Sequence, residues 1–362
     1  MAKRSSASAL RIGLLGAGAM GATHSSAYLN IPGTSVSAVW DADPRRAQKI
    51  ASLHGAKVYE RRENLLREVD AVDICLPTPF HLENIQAAAS AKRAVICEKP
   101  LGRTLEQCDA AIAVCRSARV PLLVGHVVRF FPEYVMLRRI IQTGQIGTPA
   151  VLHLRRVVSA PGDAKSWYWN LDASGGCVLD TAIHDLDWLL WTLGRPARVY
   201  GLGFRDVEQL QDLALLTITW ESGLIAHVEC SWCHDRFSTS FEASGADGLV
   251  EYDLEDSAPL RLVRTRGAQA EGGGKVVPES PLAKSPYQIE LEHFIGVIRG
   301  REQPLITPAD AREAVELALA ASSAAAERKV VELPKRARDA ARAPARPAVR
   351  KRMPALSAAH PE

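Results

Sequence analysis

Short apolar runs alternate with longer amphipathic segments over the first 144 residues. The apolar runs predict strands at 11–16, 36–41, 57–59, 72–76, 94–98 and 121–125. Segments with helical spacing lie between them, at 19–29, 44–54, 63–68, 81–91 and 105–118, and a further helix is predicted at 132–143. Repetition of strand, helix and strand with short connections predicts a parallel sheet with helices on both faces.

After about residue 149 the pattern changes to consecutive strands without helices between them. These strands are predicted at 149–158, 197–204, 212–220, 223–233, 237–246, 248–254 and 259–264. Such a run favours an antiparallel sheet. A loop and helix at 160–193 and a Gly-rich loop near 267–286 interrupt it, and helices at 287–299 and 308–328 and a short strand at 330–333 follow. We therefore predict an α/β domain over 10–130, an α+β domain over 131–333, and a tail over 334–362 that is too poor in large apolar residues to fold.

The formal charge of +3 is a property of the chain ends. Residues 334–362 carry a balance of +6 and residues 1–9 a balance of +2, which leaves −5 on residues 10–333. A mildly acidic body gives no reason to expect a nucleic-acid or membrane surface. The seven cysteines are scattered, which predicts reduced thiols and a cytoplasmic location rather than a disulfide framework, and no apolar run is long enough to predict a transmembrane helix.

A glycine motif follows the first predicted strand. Its sequence is Gly16-Ala17-Gly18-Ala19-Met20-Gly21, a G-x-G-x-x-G that opens a predicted helix, and Asp41 ends the next strand 20 residues later. In a dinucleotide site, Gly16 permits the tight turn, Gly18 lets the backbone approach the pyrophosphate, and Gly21 allows close helix–strand packing. Ala19 and Met20 lie in the first helical turn, whose free N–H groups would face the phosphates. The alternative is a glycine turn without a ligand.

Asp41 bears on the choice of cofactor. Its carboxylate would accept hydrogen bonds from the adenosine ribose and repel a 2′-phosphate, so NAD is favoured over NADP. Arg45 and Arg46 lie close by in the sequence and keep NADP open. Further along, Pro77, Thr78 and His81 follow the fourth strand, at the end of the sheet where such ligands bind. We take them as cofactor contacts, although His81 has the alternative of simply beginning a helix.

Two further clusters carry candidate chemistry. The first is Cys97-Glu98-Lys99-Pro100, a charged pair directly after the apolar fifth strand. The second is Gly175-Gly176-Cys177-Val178-Leu179-Asp180-Thr181-Ala182-Ile183-His184. On a helix, Asp180 and His184 are four residues apart and share one face.

The sequence resembles the glucose-fructose oxidoreductase/inositol dehydrogenase (Gfo/Idh/MocA) family over about residues 10–333. The resemblance rests on the ordered set of the glycine motif, Pro77–His81, Glu98-Lys99-Pro100 and Gly175-Gly176…Asp180…His184-Asp185-Leu186-Asp187. It implies an N-terminal Rossmann domain, followed by an α+β domain with a large, mostly antiparallel open sheet. It also implies NAD(P)-dependent oxidation of a secondary alcohol, or the reverse, on a polyol, sugar, sugar derivative or cyclitol. Burial of the open sheet in a homodimer or homotetramer is a further implication.

The family's Lys–Asp–His set maps onto Lys99, Asp180 and His184. Neutral His184 is the expected base for the hydroxyl proton, because the unperturbed pKa of histidine is about 6.5. Lys99 would stabilise the developing alkoxide and position the hydroxyl, and Asp180 would bind substrate and balance the local charge. Glu98 either orients its neighbours or contacts the nicotinamide ribose, and the Lys99–Pro100 bond is interpreted as cis, to aim the lysine. The alternative is that Asp180 and His184 stabilise a helix while Lys99 is a surface turn residue.

Four residues are candidates for the substrate side of the cleft. His126 and Arg129 follow the sixth strand, Trp167 lies in the aromatic run Trp167-Tyr168-Trp169, and Tyr287 begins a helix that would close the pocket. Each has a structural role as its alternative.

No metal is predicted. Cys230, Cys233, His234 and His227 look like a cluster, but residues three apart on a strand point to opposite faces and no second cysteine pair has zinc spacing. The sequence therefore predicts an NAD-dependent dehydrogenase acting on a small molecule. Three alternatives stay open: an NAD-binding regulator without turnover, a glycosidase that uses bound NAD transiently, and an enzyme that reduces a carbonyl or another double bond.

Overall fold

The first domain is built on a parallel sheet. The computed structural model describes residues 9–256, 260–264, 275–276 and 284–334. The six strands of the first domain are β1 (Leu10–Leu15), β2 (Thr34–Trp40), β3 (Lys57–Val58), β4 (Ala71–Ile74), β5 (Ala94–Glu98) and β6 (Leu122–Gly125). They pair in parallel in the order β3-β2-β1-β4-β5-β6. This is the Rossmann order, with its reversal point between β1 and β4, and it confirms the predicted first fold.

Helices connect these strands where the sequence predicts them. They are α1 (Ala19–Tyr28), α2 (Pro44–His54), α3 (Arg62–Glu68), α4 (His81–Ser90) and α5 (Leu105–Ala118), followed by α6 (Pro132–Gln142). Local chemistry sets their ends: the Asp43 side chain caps the start of α2, and Gly55 ends it with a φ of 63°. The N-cap of α1 is Gly18, which has no side chain to occupy the first-turn N–H groups.

The second domain contains a nine-stranded sheet. Its strands are β7 (Pro149–Val157), β8 (Arg198–Asp206), β9 (Gln211–Thr219), β10 (Ile225–Ser231), β11 (Ser238–Gly245), β12 (Gly248–Asp253), β13 (Leu260–Arg264), β14 (Lys275–Val276) and β15 (Val331–Glu332). The order is β14-β13-β12-β11-β7-β10-β9-β8-β15, and neighbours are antiparallel except β7 and β10. The predicted mostly antiparallel sheet is confirmed. The parallel pair was not predicted, because it depends on where the chain returns after its long excursion between β7 and β8.

Helices cover one face of this sheet and leave the other open. The remaining helices are α7 (Leu171–Ser174), α8 (Ile183–Leu193), α9 (Pro286–Ile298) and α10 (Pro308–Glu327). Helices α8 and α10 share one apolar core with the inward side chains of the sheet. Helix α9 instead places Leu291, Phe294 and Ile295 in a core with Ile12 and Leu14 of the first domain. Helix α9 therefore belongs by sequence to the predicted second domain, which begins at residue 131, but packs in space onto the first domain.

Two predicted segments fall mainly outside the described residues: the Gly-rich loop near 267–286 and the tail over 334–362. Within the described ranges, no helix combines the length and the apolar character needed to cross a bilayer.

Candidate functional site

The glycine loop has the geometry of a phosphate cradle. Gly16 has a φ of +98°, and a Cβ on it would lie 2.6 Å from the Cys75 carbonyl oxygen. A Cβ on Gly21 would lie 2.0 Å from the Gly16 carbonyl oxygen, so α1 can pack this closely against β1 only with glycine at position 21. A Cβ on Gly18 would meet nothing within 4 Å. The loop is thus tightly packed on one side and open over Gly18, where Ala19 and Met20 begin α1 with N–H groups that no side chain caps. These features fit a dinucleotide pyrophosphate.

Asp41 lies beside this loop, at the end of β2. Its Oδ2 accepts a hydrogen bond from the Ala17 N–H at 2.6 Å, and its Oδ1 accepts one from the Asp43 N–H at 2.7 Å. The side chain stays half exposed. Arg45 and Arg46 turn to Asp43 instead, at 3.2 Å and 3.9 Å. Two backbone N–H groups therefore hold the Asp41 side chain at the place where an adenosine ribose is expected, and both arginines have a carboxylate partner elsewhere.

The loop after β4 differs in part from the sequence-based assignment. Pro77 is half buried, and Thr78 is buried in a short 3₁₀ turn. His81 is buried, with Nε2 2.8 Å from the Leu76 carbonyl oxygen and Nδ1 2.9 Å from that of Pro100. Both ring nitrogens hold neighbouring loops together. These contacts favour the alternative that His81 is a structural residue at the start of α4, and its assignment as a cofactor contact stays a prediction.

Lys99 and Asp180 come from different domains and meet in the cleft. The Lys99 Nζ donates to Asp180 Oδ1 at 2.9 Å and to the Asp180 carbonyl oxygen at 2.6 Å. Their side chains keep 13% and 22% of their surface exposed, so the pair stays accessible from the cleft. The Lys99–Pro100 bond is cis, as interpreted from the sequence. Glu98 is buried, and its Oε2 accepts the Lys99 backbone N–H at 3.1 Å.

A wide helical turn carries Asp180. Residues Val178–Ala182 form a π-helical turn that runs into α8, so the regular four-residue spacing expected between Asp180 and His184 is distorted. Such turns are frequent at functional sites. Trp232 Nε1 donates to Thr181 Oγ1 at 2.8 Å and fixes the turn from the sheet side. Gly175 and Gly176 precede it with φ values of +78° and +73°, which explains the glycine pair.

His184 is half exposed beside this pair. Its Nδ1 is buried and has no hydrogen-bond partner among the described residues, which leaves Nε2 as the available nitrogen. Burial lowers the pKa of His184 well below its usual value of 6.5, and the charges of Lys99 and Arg156 and the neighbouring His126 lower it further. A neutral imidazole next to an ammonium group is suited to accept a hydroxyl proton.

His126 and Arg129 are both buried and both face Asp187, at 3.8 Å and 2.7 Å. Arg129 is buried, and its guanidinium donates to both Asp187 carboxylate oxygens at 2.7 Å and 2.8 Å and to the Leu305 carbonyl oxygen at 3.1 Å. Its donors serve the fold, which favours the structural alternative, and substrate contact by Arg129 stays a prediction. His126 is also buried, and burial lowers its pKa. The influence of His126 on the pKa of His184 places it behind the proposed base.

The aromatic candidates lie on two sides of the cleft. Trp167 packs on Tyr168 with ring centroids 4.2 Å apart. Burial raises the pKa of Tyr168, and the carboxylates of Asp180 and Glu98 add to this, so Tyr168 lies toward the reacting pair. The sequence analysis did not single out this residue, although it stands in the aromatic run. On the other side, burial and Glu98 raise the pKa of Tyr287 to about 12, which places it near the same carboxylate.

A buried polar cluster behind the site was missed at the sequence level. His24 Nδ1, Asp73 and Cys75 bring their ligand atoms within 4.8 Å of one another, as a metal site would. However, His24 and Asp73 contact each other directly at 2.8 Å, and Tyr28 donates to the same Asp73 oxygen at 3.0 Å. These are the distances of a hydrogen-bonded network rather than of ligands spread around an ion. The signal available in the sequence was an aspartate inside a fully buried strand.

The four residues that resemble a metal cluster in the sequence diverge in space. The Cys230 Sγ lies in the core, 3.6 Å from Cys177 Sγ, while Cys233 is exposed. His227 is on the opposite face of the sheet and stacks on His153 with centroids 5.1 Å apart. His234 Nε2 instead faces an Arg155 Nη2 at 3.0 Å. Their separation supports the sequence-based rejection of this set.

Comparison with known proteins matches both domains. The family model GFO_IDH_MocA, an oxidoreductase family with an NAD-binding Rossmann fold, matches residues 10–126, and the GFO/IDH/MocA C-terminal domain model matches residues 134–251. Inositol 2-dehydrogenase 2 of Saccharopolyspora erythraea is 32% identical over 310 residues, covering 80% of this chain and 87% of that protein. The 1,5-anhydro-D-fructose reductase of Ensifer adhaerens is 28% identical over 332 residues, covering 89% and 98%. A levoglucosan dehydrogenase in complex with NADH and levoglucosan aligns with a TM-score of 0.80 at 22% identity, over 90% of this chain and 100% of that one, which establishes likeness of fold.

Proposed function

Because this chain belongs to the Gfo/Idh/MocA family of NAD-binding oxidoreductases, we propose that it oxidises a secondary alcohol of a sugar, sugar derivative or cyclitol with NAD as the hydride acceptor. The observation that carries the proposal is the Lys99–Asp180 pair, which spans the cleft beside the half-exposed His184. Relatives that act on inositols and on an anhydro sugar support this substrate class.

Each of the three residues has a task that its surroundings favour. When bound, NAD takes the hydride from the alcohol carbon. Neutral His184 accepts the hydroxyl proton at Nε2, because Nδ1 is buried. The Lys99 ammonium group hydrogen-bonds the substrate oxygen and stabilises the negative charge that develops on it. Asp180 holds the Lys99 Nζ at 2.9 Å and offers its second carboxylate oxygen to a neighbouring hydroxyl.

The decisive experiment is a screen for NAD reduction across inositols, aldoses and sugar nucleotides, followed at 340 nm. With the best substrate, Lys99→Met and His184→Asn should each lower kcat by roughly 10²-fold or more. Lys49→Met, on the exposed side of α2, is the matched control and should keep wild-type kcat. Tight NAD binding without turnover of any alcohol would indicate a regulator instead. Cleavage of aryl glycosides without net NADH formation would indicate the glycosidase.

Carbonyl reduction is the second candidate, and the reductase among the relatives favours it. The same three residues serve both directions, since His184 would then return the proton to the new hydroxyl. Assays with NADH and the corresponding ketoses separate the two. A rate that is measurable only in the reductive direction at neutral pH would favour this candidate.

We also infer that the open face of the second sheet is covered by a second copy of the chain. The large apolar side chains Tyr200, Leu202, Phe204, Leu215 and Ile225 stand exposed on neighbouring strands of this face. Exposed apolar side chains grouped on one face of a sheet mark an interaction surface, and a self-complementary surface generates symmetric oligomers. The cytoplasmic location expected from the scattered cysteines stays a prediction.

A further inference from the structure

We propose that His24 is a positioning residue for Lys99: its buried, charged ring holds the Glu98 carboxylate, and Glu98 fixes the backbone of Lys99. The proposal rests on the alcohol oxidation proposed above, because the position of Lys99 matters for turnover only if Lys99 serves that reaction. The His24 ring is fully buried and lies 6.1 Å from the ring of Tyr287, and the contact that connects it to Lys99 is the one with Glu98.

His24 belongs to a polar cluster that is sealed between four elements. His24 and Tyr28 come from α1, Asp73 from β4, Glu98 from β5 and Glu290 from α9, and all five side chains are buried. Burial of polar groups is costly unless they are paired, so this cluster must gain free energy from its internal contacts or serve a function.

Both ring nitrogens of His24 face a carboxylate. Nδ1 lies 2.8 Å from Asp73 Oδ2, and Nε2 lies 3.1 Å from Glu98 Oε1. The Nδ1–Asp73 contact is a hydrogen bond, whereas the Nε2–Glu98 contact has the distance of an ion pair without the geometry of a hydrogen bond, so electrostatic attraction to both carboxyl groups is what favours the charged ring. Burial opposes the charge, but the Asp73 carboxyl group, through its charge and its hydrogen bond to Nδ1, raises the pKa of His24 above its usual value.

The other titratable groups around the ring are neutral. Burial raises the pKa of Cys75, which directly follows β4, to about 12 and, together with Glu98, raises that of Tyr287 on α9 to about 12. Burial also raises the pKa of Tyr28 well above its usual value, and burial together with Glu98 does the same for Glu290, whose two carboxyl oxygens have no hydrogen-bond partner among the described residues. Within the cluster, His24 is therefore the cation that balances the two remaining carboxylates.

Glu98 transmits this charge to the reacting pair. Its Oε2 accepts the backbone N–H of Lys99 at 3.1 Å, and the Lys99 Nζ reaches Asp180 at 2.9 Å. Gly125 on β6 leaves room for the carboxylate, because a Cβ there would lie 3.1 Å from Glu98 Oε1. A continuous set of contacts thus connects α1, the helix that begins at the glycine loop, to the ammonium group that faces the substrate.

Two amide variants separate the two contacts of the ring. In His24→Asn the amide N–H replaces Nδ1 and keeps the bond to Asp73, whereas in His24→Gln it replaces Nε2 and keeps the contact with Glu98. We expect His24→Asn to lower kcat about 10-fold with a KM for the alcohol within about 3-fold of wild type, and His24→Gln to recover part of that loss. The acid limb of the kcat profile should move to higher pH in His24→Asn, because removing a buried cation makes it easier for the site to take up a proton.

Cofactor affinity gives a readout that needs no turnover. Titration with NAD⁺ and with NADH, followed by fluorescence, yields the ratio of the two Kd values for each variant. We expect His24→Asn to weaken NAD⁺ binding by a few-fold relative to NADH, because an anionic Glu98 at the end of β5 favours the positively charged ring. If the protein binds NAD but oxidises no alcohol, the proposed function fails, while this ratio still tests His24.

Tyr28→Phe is the matched control. It removes the other hydrogen bond to Asp73 from the same helix, without touching Glu98, and should lower the Tm while leaving kcat, the pH profile and the Kd ratio unchanged. A His24→Asn protein that loses only thermal stability, as this control does, would overturn the proposal. If neither His24 variant folds, Gly125→Ala replaces them, because its methyl group displaces the same Glu98 carboxylate. This variant should lower kcat and shift the acid limb of the kcat profile to higher pH. Unchanged kinetics in Gly125→Ala would overturn the proposal.

Discussion

At the scale of single residues, surroundings decide which polar groups are free to react. Arg129 and Lys99 are both cations at the ends of neighbouring strands. Arg129 is enclosed by Asp187 and a backbone carbonyl, whereas Lys99 keeps part of its surface open to the cleft. The same contrast separates His81, whose two nitrogens hold loops together, from His184, whose Nε2 is available. Residue type and position in the sequence did not distinguish Arg129 from Lys99 or His81 from His184. The groups that each of these side chains contacts come from distant parts of the chain.

The pH dependence of the reaction tests the environment of His184. Burial and the Lys99 charge lower the pKa of His184 well below 6.5, so the ring stays neutral down to that lower pKa and becomes unable to accept a proton only below it. We expect the midpoint of the acid limb of kcat/KM to lie at a pH well below 6.5. The profile should be measured with the screened substrate at saturating NAD. An acid limb at pH 7 or above in the wild-type enzyme would contradict the assignment of His184 as the base.

Asp41 tests the choice between NAD and NADP. Asp41→Asn removes the charge that repels a 2′-phosphate, and it should raise the ratio of kcat/KM for NADP to that for NAD by about 10-fold. Asp70→Asn is the control, because Asp70 pairs with Arg11 at the opposite end of the sheet from the glycine loop and should leave the ratio unchanged. An unchanged ratio in both variants would remove Asp41 from the specificity site.

At the scale of elements, two irregular segments shape the cleft. The π-helical turn Val178–Ala182 carries Asp180 toward Lys99, and Trp232 fixes it through Thr181. The glycine loop lets α1 begin against β1, with no side chain over its N-terminus. Both segments depart from regular structure where side chains or a cofactor must approach closely. The sequence predicts the loop from its glycines, but it predicts a regular helix in place of the π turn, since hydrophobic periodicity does not reveal one additional residue in a single turn.

Two alanine variants of the glycine loop separate folding from cofactor binding. In Gly21→Ala the added methyl group would lie 2.0 Å from the Gly16 carbonyl oxygen, so we expect a loss of about 1–3 kcal/mol of stability and an NADH Kd at least about 10-fold higher. In Gly18→Ala the methyl group meets no protein atom within 4 Å, so the Tm should stay near wild type while NADH binding weakens. The measurements are thermal unfolding and NADH fluorescence titration. Wild-type NADH affinity in Gly18→Ala would exclude this loop as the phosphate site.

At the scale of the whole molecule, the two domains share the work of the site. The first domain supplies the glycine loop, Asp41 and Lys99, and the second supplies Asp180 and His184. Helix α9 packs onto the first domain and brings Tyr287 beside Glu98. The large sheet contributes no reacting residue from its open face, which is consistent with its proposed use as a contact between copies of the chain.

A single charge on that open face tests the oligomer. Leu215 is 52% exposed on β9, and Leu215→Asp would place a carboxylate in the apolar patch. We expect light scattering after gel filtration to give a smaller assembly for this variant than for the wild type. Leu53→Asp is the control, because Leu53 is 58% exposed on α2, away from the sheet, and should not change the mass. A wild-type protein that is already monomeric, or one whose mass Leu215→Asp leaves unchanged, would contradict the proposed interface.

The sequence by itself determined the order of helices and strands, the parallel first sheet and the glycine loop. These follow from hydrophobic periodicity and from a motif whose members are close in the chain, so they are local properties. The three residues assigned to the reaction came instead from the family resemblance and stay a prediction. Tertiary structure alone decided that Lys99 meets Asp180, that Arg129 and His81 serve the fold, and that His24 lies between Asp73 and Glu98. The reason is physical: a polar side chain takes its charge and its role from the partners that packing brings to it, and those partners are tens to hundreds of residues away in the sequence.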